Sequence, residues 1–244
     1  MKAIGVIPAR WGSTRFEGKV LALINGRPMI EVVWRQAKKS KLLEDVFIAC
    51  DDERVFKAAE KFKAKAVMTA PDHESGTDRI TEAVAKIPVE VVVNIQGDEP
   101  LIDPSIIDSL AKVLLDDASL AMATVIKRVE KEEELVDPNV VKAVIDREKN
   151  ALYFSRSMIP FNRQKKPFSQ AVYYKHLGLY AYRKEFLLKF KALPPSKLEQ
   201  AEKLEQLRVL EAGYKIRTIE TRHETIGVDT PFDLERVAKL LKGK

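Results

Sequence analysis

The segment Val89-Glu90-Val91-Val92-Val93-Asn94-Ile95-Gln96-Gly97-Asp98-Glu99-Pro100 decides the fold. Its first half is too continuously apolar for a strand with one wet face. It suits a strand of a parallel sheet buried on both sides by helices. Its second half stops that strand in a turn carrying two acids. On the N-terminal side, residues 3–8, 45–50 and 64–69 are short β-branched runs that alternate with amphipathic stretches at 29–38, 53–62 and 77–87. In the first stretch, Met29, Ile30, Val33, Trp34 and Ala37 share one helical face and leave Glu31, Arg35 and Lys38 outside it. This order predicts βαβ units and an α/β fold, doubly wound about a mostly parallel central sheet. Ligands of such sheets bind outside the carboxyl ends of the strands, so the loops starting at Pro8, Cys50, Thr69 and Asn94 are expected to line one crevice.

After Asp137 the alternation gives way to β-rich segments at 140–146, 151–155 and 173–182, with a polar connection at 162–170. A smaller β-rich lobe or dimer lobe is expected there. Residues 197–212, 215–221 and 231–241 then restore helix, strand and helix, with Pro231 placed for a first helical turn. We therefore expect one domain over 1–244, with a main part at 1–136, a β-rich subregion at 137–195 and a return to the main sheet at 196–244.

With 244 residues and 45% hydrophobic content, the chain can form one substantial core with a smaller appended lobe. No apolar stretch approaches the ~18 residues of a membrane span. Arg10 and Arg15 follow the first apolar run where a secretory cleavage site needs small residues. Cys50 is the only cysteine, which excludes an intramolecular disulfide and a cysteine zinc cluster. A cytoplasmic location without membrane insertion is the expectation. The net charge of +6 favours anionic ligands. Bases alternate with acids along 57–65 and 197–208, which describes solvated helix surfaces, and no nucleic-acid partner is expected.

Three segments carry chemistry. The first strand runs into Ala9-Arg10-Trp11-Gly12-Ser13-Thr14-Arg15 and on to Gly18-Lys19. Gly12 permits close backbone approach, amides and hydroxyls can donate to phosphate oxygens, and Arg10, Arg15 and Lys19 can offset charge on leaving pyrophosphate. The segment matches neither common phosphate-loop pattern, so an ordinary basic loop is the alternative. At the end of the central strand, Asp98 can hold magnesium, a hard ion that prefers oxygen ligands. A solvated turn acid is the alternative there, and the crevice rule favours the metal. In Gly227-Val228-Asp229-Thr230-Pro231, Asp229 is either a second ligand for that ion or a helix-capping acid, and the residues leave both open. The three histidines show neither metal-ligand nor triad spacing. His176 suits a packed role as well as a substrate contact.

These segments, together with Asp72-His73-Glu74-Ser75-Gly76-Thr77-Asp78-Arg79, resemble the motif set of the CMP-KDO synthetases in the same order. Farther on, Ala151-Leu152-Tyr153-Phe154-Ser155-Arg156, His176-Leu177-Gly178-Leu179-Tyr180 and Leu204-Glu205-Gln206-Leu207-Arg208 resemble the segments with which that family holds its sugar acid. The resemblance implies a Rossmann-like nucleotide-diphospho-sugar transferase fold with a β-rich dimerisation and sugar-binding lobe, and a homodimer. It implies transfer of CMP from CTP to the anomeric hydroxyl of 3-deoxy-manno-octulosonate (KDO), with release of pyrophosphate, for lipopolysaccharide synthesis. Carried over, Pro8, Ala9, Arg10, Ser13, Lys19, Asp72, Ser75, Gly76 and Gln96 would surround the nucleotide. Asp98 and Asp229 would hold magnesium and, with Arg10 and Lys19, form the catalytic set. Arg156 would meet the sugar carboxylate, while His176, Tyr180, Glu205 and Gln206 would orient hydroxyls. Phe16-Glu17 departs from the Leu-Pro common in the family and adds a negative charge near the phosphate loop. The competing functions are a cytidylyltransferase for another sugar acid such as sialic acid, a uridylyl- or thymidylyltransferase, and a noncatalytic nucleotide-binding regulator.

Overall fold

The computed structural model describes residues 1–12 and 16–242. Strand β1 (Ala3–Ala9) is followed by a small hairpin, β2 (Leu23–Ile24) and β3 (Arg27–Pro28), and then by α1 (Met29–Ala37). The alternation expected from the sequence follows as β4 (Asp45–Cys50), α2 (Glu53–Lys61), β5 (Lys65–Met68), α3 (Gly76–Val84) and β6 (Val91–Asn94). β1 lies between β4 and β6, with β5 outside β4, and all four strands are parallel. The apolar run of β6 has the predicted physical cause: Val91 and Val93 enter the core on one face of the sheet, and Val92 enters the core on the other. The first face shares its core with Ile30 and Val33 of α1, and the second shares its core with Ile80 and Val84 of α3.

The second half continues with α4 (Pro104–Asp116), β7 (Met122–Arg128), α5 (Glu133–Val136), β8 (Lys142–Ile145), β9 (Ala151–Ser155) and β10 (Tyr174–Arg183). It ends with α6 (Lys184–Phe190), α7 (Lys197–Glu202), α8 (Gln206–Glu211), β11 (Ile216–Thr221) and α9 (Pro231–Lys242). The main sheet runs β11-β7-β10-β6-β1-β4-β5. β10 is antiparallel to both of its neighbours and carries the chain from the β-rich segment into the middle of the sheet. Only β8 and β9 leave that path, attached to the start of β10. Residues 174–183, grouped by sequence with the smaller lobe, are thus structurally central. Leu179, Ala181 and Tyr182 are buried because β10 is covered on both faces. The helix expected over 197–212 is two helices, parted at Lys203, which adopts φ 54°.

Candidate active site

The carboxyl ends of β1 and β6 are brought together by a glycine. A Cβ at Gly97 would lie 2.9 Å from the Pro8 carbonyl oxygen, so the turn after β6 closes on the end of β1 only with no side chain there. Gly18, at φ +66°, has the Trp11 ring 2.7 Å from where its Cβ would stand. The Trp11 amide donates to Asp51 Oδ1 at 2.9 Å. Arg79, 3% exposed, donates through Nη2 to Asp51 Oδ2 at 2.9 Å and through Nη1 to Thr69 Oγ1 at 2.6 Å. One carboxylate after β4 therefore joins the start of the phosphate loop to a buried guanidinium on α3.

These loops enclose a cavity of about 260 Å³. Pro8 and Arg10 line it from β1, Ser75 and Gly76 from the N-terminus of α3, and Gln96 and Asp98 from the end of β6, with Lys19 opposite. Ser75 caps α3 by accepting from the Asp78 amide at 3.1 Å, which turns a helix N-terminus toward the cavity, a favourable place for phosphate. Of the other expected nucleotide residues, Ala9 is buried in β1, Asp72 is exposed outside the lining, and Ser13 lies outside the described residues, as do Thr14 and Arg15. His73, Glu74 and Arg79 line the cavity without having been singled out individually. Asp51 was missed altogether, because its role depends on a residue far along the chain.

Lys19 occupies the electrostatic centre. Its ammonium donates to Asp98 Oδ2 at 2.7 Å, to Asp229 Oδ1 at 3.1 Å and to the Val228 carbonyl at 3.1 Å. The neighbours of Asp229 supply a cap for α9. Thr230 and Asp233 cap α9 reciprocally: the Thr230 amide donates to Asp233 Oδ2 at 2.9 Å, and the Asp233 amide donates to Thr230 Oγ1 at 3.2 Å. With the cap supplied there, the Asp229 carboxylate reaches Lys19. Beside Asp98, Glu99 is 8% exposed, and its Oε2 has no hydrogen-bond partner. Burial, reinforced by the Asp98 charge, pushes its pKa up to about 8.

Most residues expected to meet the sugar lie on the α3 face of the sheet. Thr77 Oγ1 donates to Glu205 Oε2 at 2.9 Å, which ties the first turn of α3 to the start of α8. Desolvation raises the Glu205 pKa, opposed by hydrogen bonds from Thr77 and Ser75. Gln206 is 4% exposed, and its Nε2 is an unpaired buried donor aimed at no described acceptor. The ladder of β10 is irregular between Leu177 and Tyr180, and there the Gly178 carbonyl accepts from Gln96 Nε2 at 3.2 Å. His176 meets the Phe154 ring edge-on and the Tyr180 ring at a tilt. Desolvation lowers its pKa to about 3 and raises that of Tyr180, so both are neutral near pH 7. The Thr124 hydroxyl spends its proton on the Leu179 carbonyl at 2.9 Å, so it accepts from His176 Nε2, also at 2.9 Å. His176 is then the Nε2–H tautomer, with Nδ1 as an acceptor. Arg156 stands beside the α7–α8 turn. Its guanidinium donates to the carbonyls of Glu202 and Pro138, each at 2.8 Å, and it does not line the cavity.

Comparisons with known proteins identify the family. Residues 4–217 match the model of the cytidylyltransferase family. A 3-deoxy-manno-octulosonate cytidylyltransferase of Solibacter usitatus is 51% identical over 241 residues, covering 99% of this chain and 95% of that protein. One of Geotalea daltonii is 49% identical over 252 residues, with both chains fully covered. The solved structure of CMP:2-keto-3-deoxy-manno-octonic acid synthetase complexed with CTP superposes with a TM-score of 0.95 at 45% identity, covering 100% of this chain and 99% of that one. The 4-diphosphocytidyl-2C-methyl-D-erythritol synthase of Anaerococcus prevotii, at 14% identity and a TM-score of 0.65 over 99% of both chains, shares the fold alone. With a glycine-closed crevice at the sheet's carboxyl edge and full-length relatives at about half identity, the chain belongs to the 3-deoxy-manno-octulosonate cytidylyltransferase family.

Proposed function

We propose that the crevice transfers the cytidylyl group of CTP to the anomeric hydroxyl of KDO, forming CMP-KDO for lipopolysaccharide synthesis. The observation that carries this is the meeting of Lys19, Asp98 and Asp229 at the strand ends, in a chain 51% identical to a KDO cytidylyltransferase. The acceptor oxygen attacks the α-phosphorus, the bond to the β-phosphate oxygen breaks, and pyrophosphate leaves. Arg10 and the α3 N-terminus face the cavity where that charge accumulates. The three protons of Lys19 all have acceptors, so a phosphate oxygen reaching Nζ replaces one of them.

The residues fit magnesium. The Lys19 ammonium marks a point within 2.7 Å of one carboxylate and 3.1 Å of the other, and both donors are hard oxygens. No group of three acids, histidines or cysteines stands ready among the described residues, which suits an ion that completes its shell from phosphates and water. Asp98 and Asp229 would hold it, and when bound it supplies Lewis-acid polarisation of the α-phosphate. On the sugar side, His176 Nδ1 would accept from a sugar hydroxyl, Gln206 Nε2 would donate and Glu205 would accept. Arg156 would turn from backbone carbonyls to the sugar carboxylate, where a bidentate pair is stronger.

Val136, Leu152, Phe161 and Val172 are exposed apolar residues at and around β8 and β9, and they support a homodimer built through this lobe. No helix among the described residues is long and apolar enough to cross a membrane, and together with the single buried Cys50 this supports a cytoplasmic location. The test is pyrophosphate release from CTP with magnesium and, separately, KDO, sialic acid or a sugar 1-phosphate, for wild type and Asp98→Asn. Release with KDO alone, lost in the variant, is expected. Release only with another acceptor replaces the substrate, and nucleotide binding without release identifies a regulator.

A further inference from the structure

Lys127 of β7 and Lys175 of β10 are directly opposed across the antiparallel ladder. Lys127 is 2% exposed and Lys175 8%. Like charges facing each other on one side of a sheet repel, and burial strengthens that repulsion. Three carboxylates offset it. Glu130 Oε2 lies 2.9 Å from Lys127 Nζ, and Glu134 Oε1 lies 2.5 Å from Lys175 Nζ, both from the segment just after β7. Glu224 alone among them reaches both lysines, its Oε1 standing 2.5 Å from Lys127 Nζ and 3.4 Å from Lys175 Nζ.

Glu224 differs from the other two in where it comes from. It belongs to the connection between β11 and α9, whose residues 222–229 lie in neither helix nor strand and end at Asp229. Beyond Glu224 the connection is held by the Val228 amide donating to the Asp98 carbonyl at 2.9 Å. On the near side, His223 Nδ1 lies 3.4 Å from Asp103 Oδ2. Glu224, paired with both lysines, thus belongs to a segment with no ladder of its own that leads to Asp229.

We infer that Glu224 is a positioning residue for Asp229: its carboxylate, seated on the Lys127–Lys175 pair, sets where the β11–α9 connection crosses the sheet and hence where Asp229 meets Asp98. This rests on the proposed role of Asp229 as a magnesium ligand. Glu130 supplies the internal control, since it neutralises the same Lys127 from a segment that does not lead to the crevice. Loss of either acid costs stability, and only loss of Glu224 disturbs Asp229.

The experiment compares wild type, Glu224→Gln, Glu224→Asp, Glu130→Gln and Asp229→Asn as full-length proteins. Manganese(II) affinity is read by electron paramagnetic resonance with CTP present and KDO absent, and the magnesium concentration for half-maximal rate is read separately. Glu224→Gln is expected to weaken manganese binding about tenfold and to raise the magnesium midpoint by a similar factor, the size of effect typical for residues supporting a metal ligand. Glu224→Asp should fall between it and wild type, while Glu130→Gln keeps both values within about twofold at a comparable loss of Tm. Weakening by Asp229→Asn but not by Glu224→Gln overturns the inference and spares the metal site. Unchanged affinity in Asp229→Asn overturns the metal reading itself and the inference with it.

Discussion

Thr77 Oγ1 donates to Glu205 Oε2 at 2.9 Å, joining the helix whose N-terminus faces the cavity to the helix that starts with the residues proposed to meet the sugar. Thr77→Val keeps the shape and removes the donor. A hydrogen bond to a charged group contributes about 1.5–3 kcal/mol, so the KM for KDO should rise on the order of 10- to 100-fold while that for CTP stays nearly constant. Steady-state kinetics with each substrate varied in turn checks the split. Glu205 already has a raised pKa from desolvation, and losing Thr77 removes an opposing hydrogen bond. The acid limb of kcat/KM for KDO should therefore move to higher pH in the variant.

Lys19 touches both carboxylates proposed to hold magnesium. Lys19→Ala leaves these acids facing each other without their common donor and removes a cation from the pyrophosphate side. Turnover should fall about 100- to 1000-fold, the scale of losing one donor to developing charge. Single-turnover rates at saturating CTP and KDO measure it. An unchanged rate with only the KDO KM altered would remove Lys19 from the catalytic set.

Asp51 connects Trp11 to Arg79. In Asp51→Asn the buried guanidinium loses its charged partner, which costs about 3–5 kcal/mol in pairs of this kind. Denaturant unfolding should show that loss, and the KM for CTP should rise because the start of the phosphate loop is no longer held. Stability unchanged within error would show that Thr69 and the Ala70 carbonyl suffice for Arg79.

Glu99 makes stability depend on pH in a defined direction. Its folded pKa of about 8 lies above the ordinary value of 4.5, so the folded state holds a proton that the unfolded state releases between those values. Stability therefore falls as pH rises from 4.5 toward 8 and stays lowered above that. The full span is on the order of 5 kcal/mol as an upper bound. Glu99→Gln should abolish this slope, gaining on wild type from pH 5 to pH 9, as measured by unfolding without magnesium. Parallel profiles for the two proteins would contradict the assignment.

The amino-acid sequence by itself determined the strand and helix alternation of residues 3–94 and the crevice at its carboxyl edge. It did so because burial on both faces demands continuous apolar strands, and a parallel sheet puts its loops at one edge. It also marked Arg10, Lys19, Asp98 and Asp229 as candidates, since each follows a glycine-containing or strand-ending turn. Only the tertiary structure decided what depends on distant partners. That Thr230 and Asp233 cap α9 while the Asp229 carboxylate reaches Lys19 is one such case. The insertion of β10 between β6 and β7 is a pairing of remote segments that no local pattern specifies. Asp51, Arg79 and Glu224 look like ordinary surface charges in one dimension. They become structural ties because folding removes water from around Arg79, Lys127 and Lys175, and a desolvated cation requires whichever carboxylate the fold can bring to it.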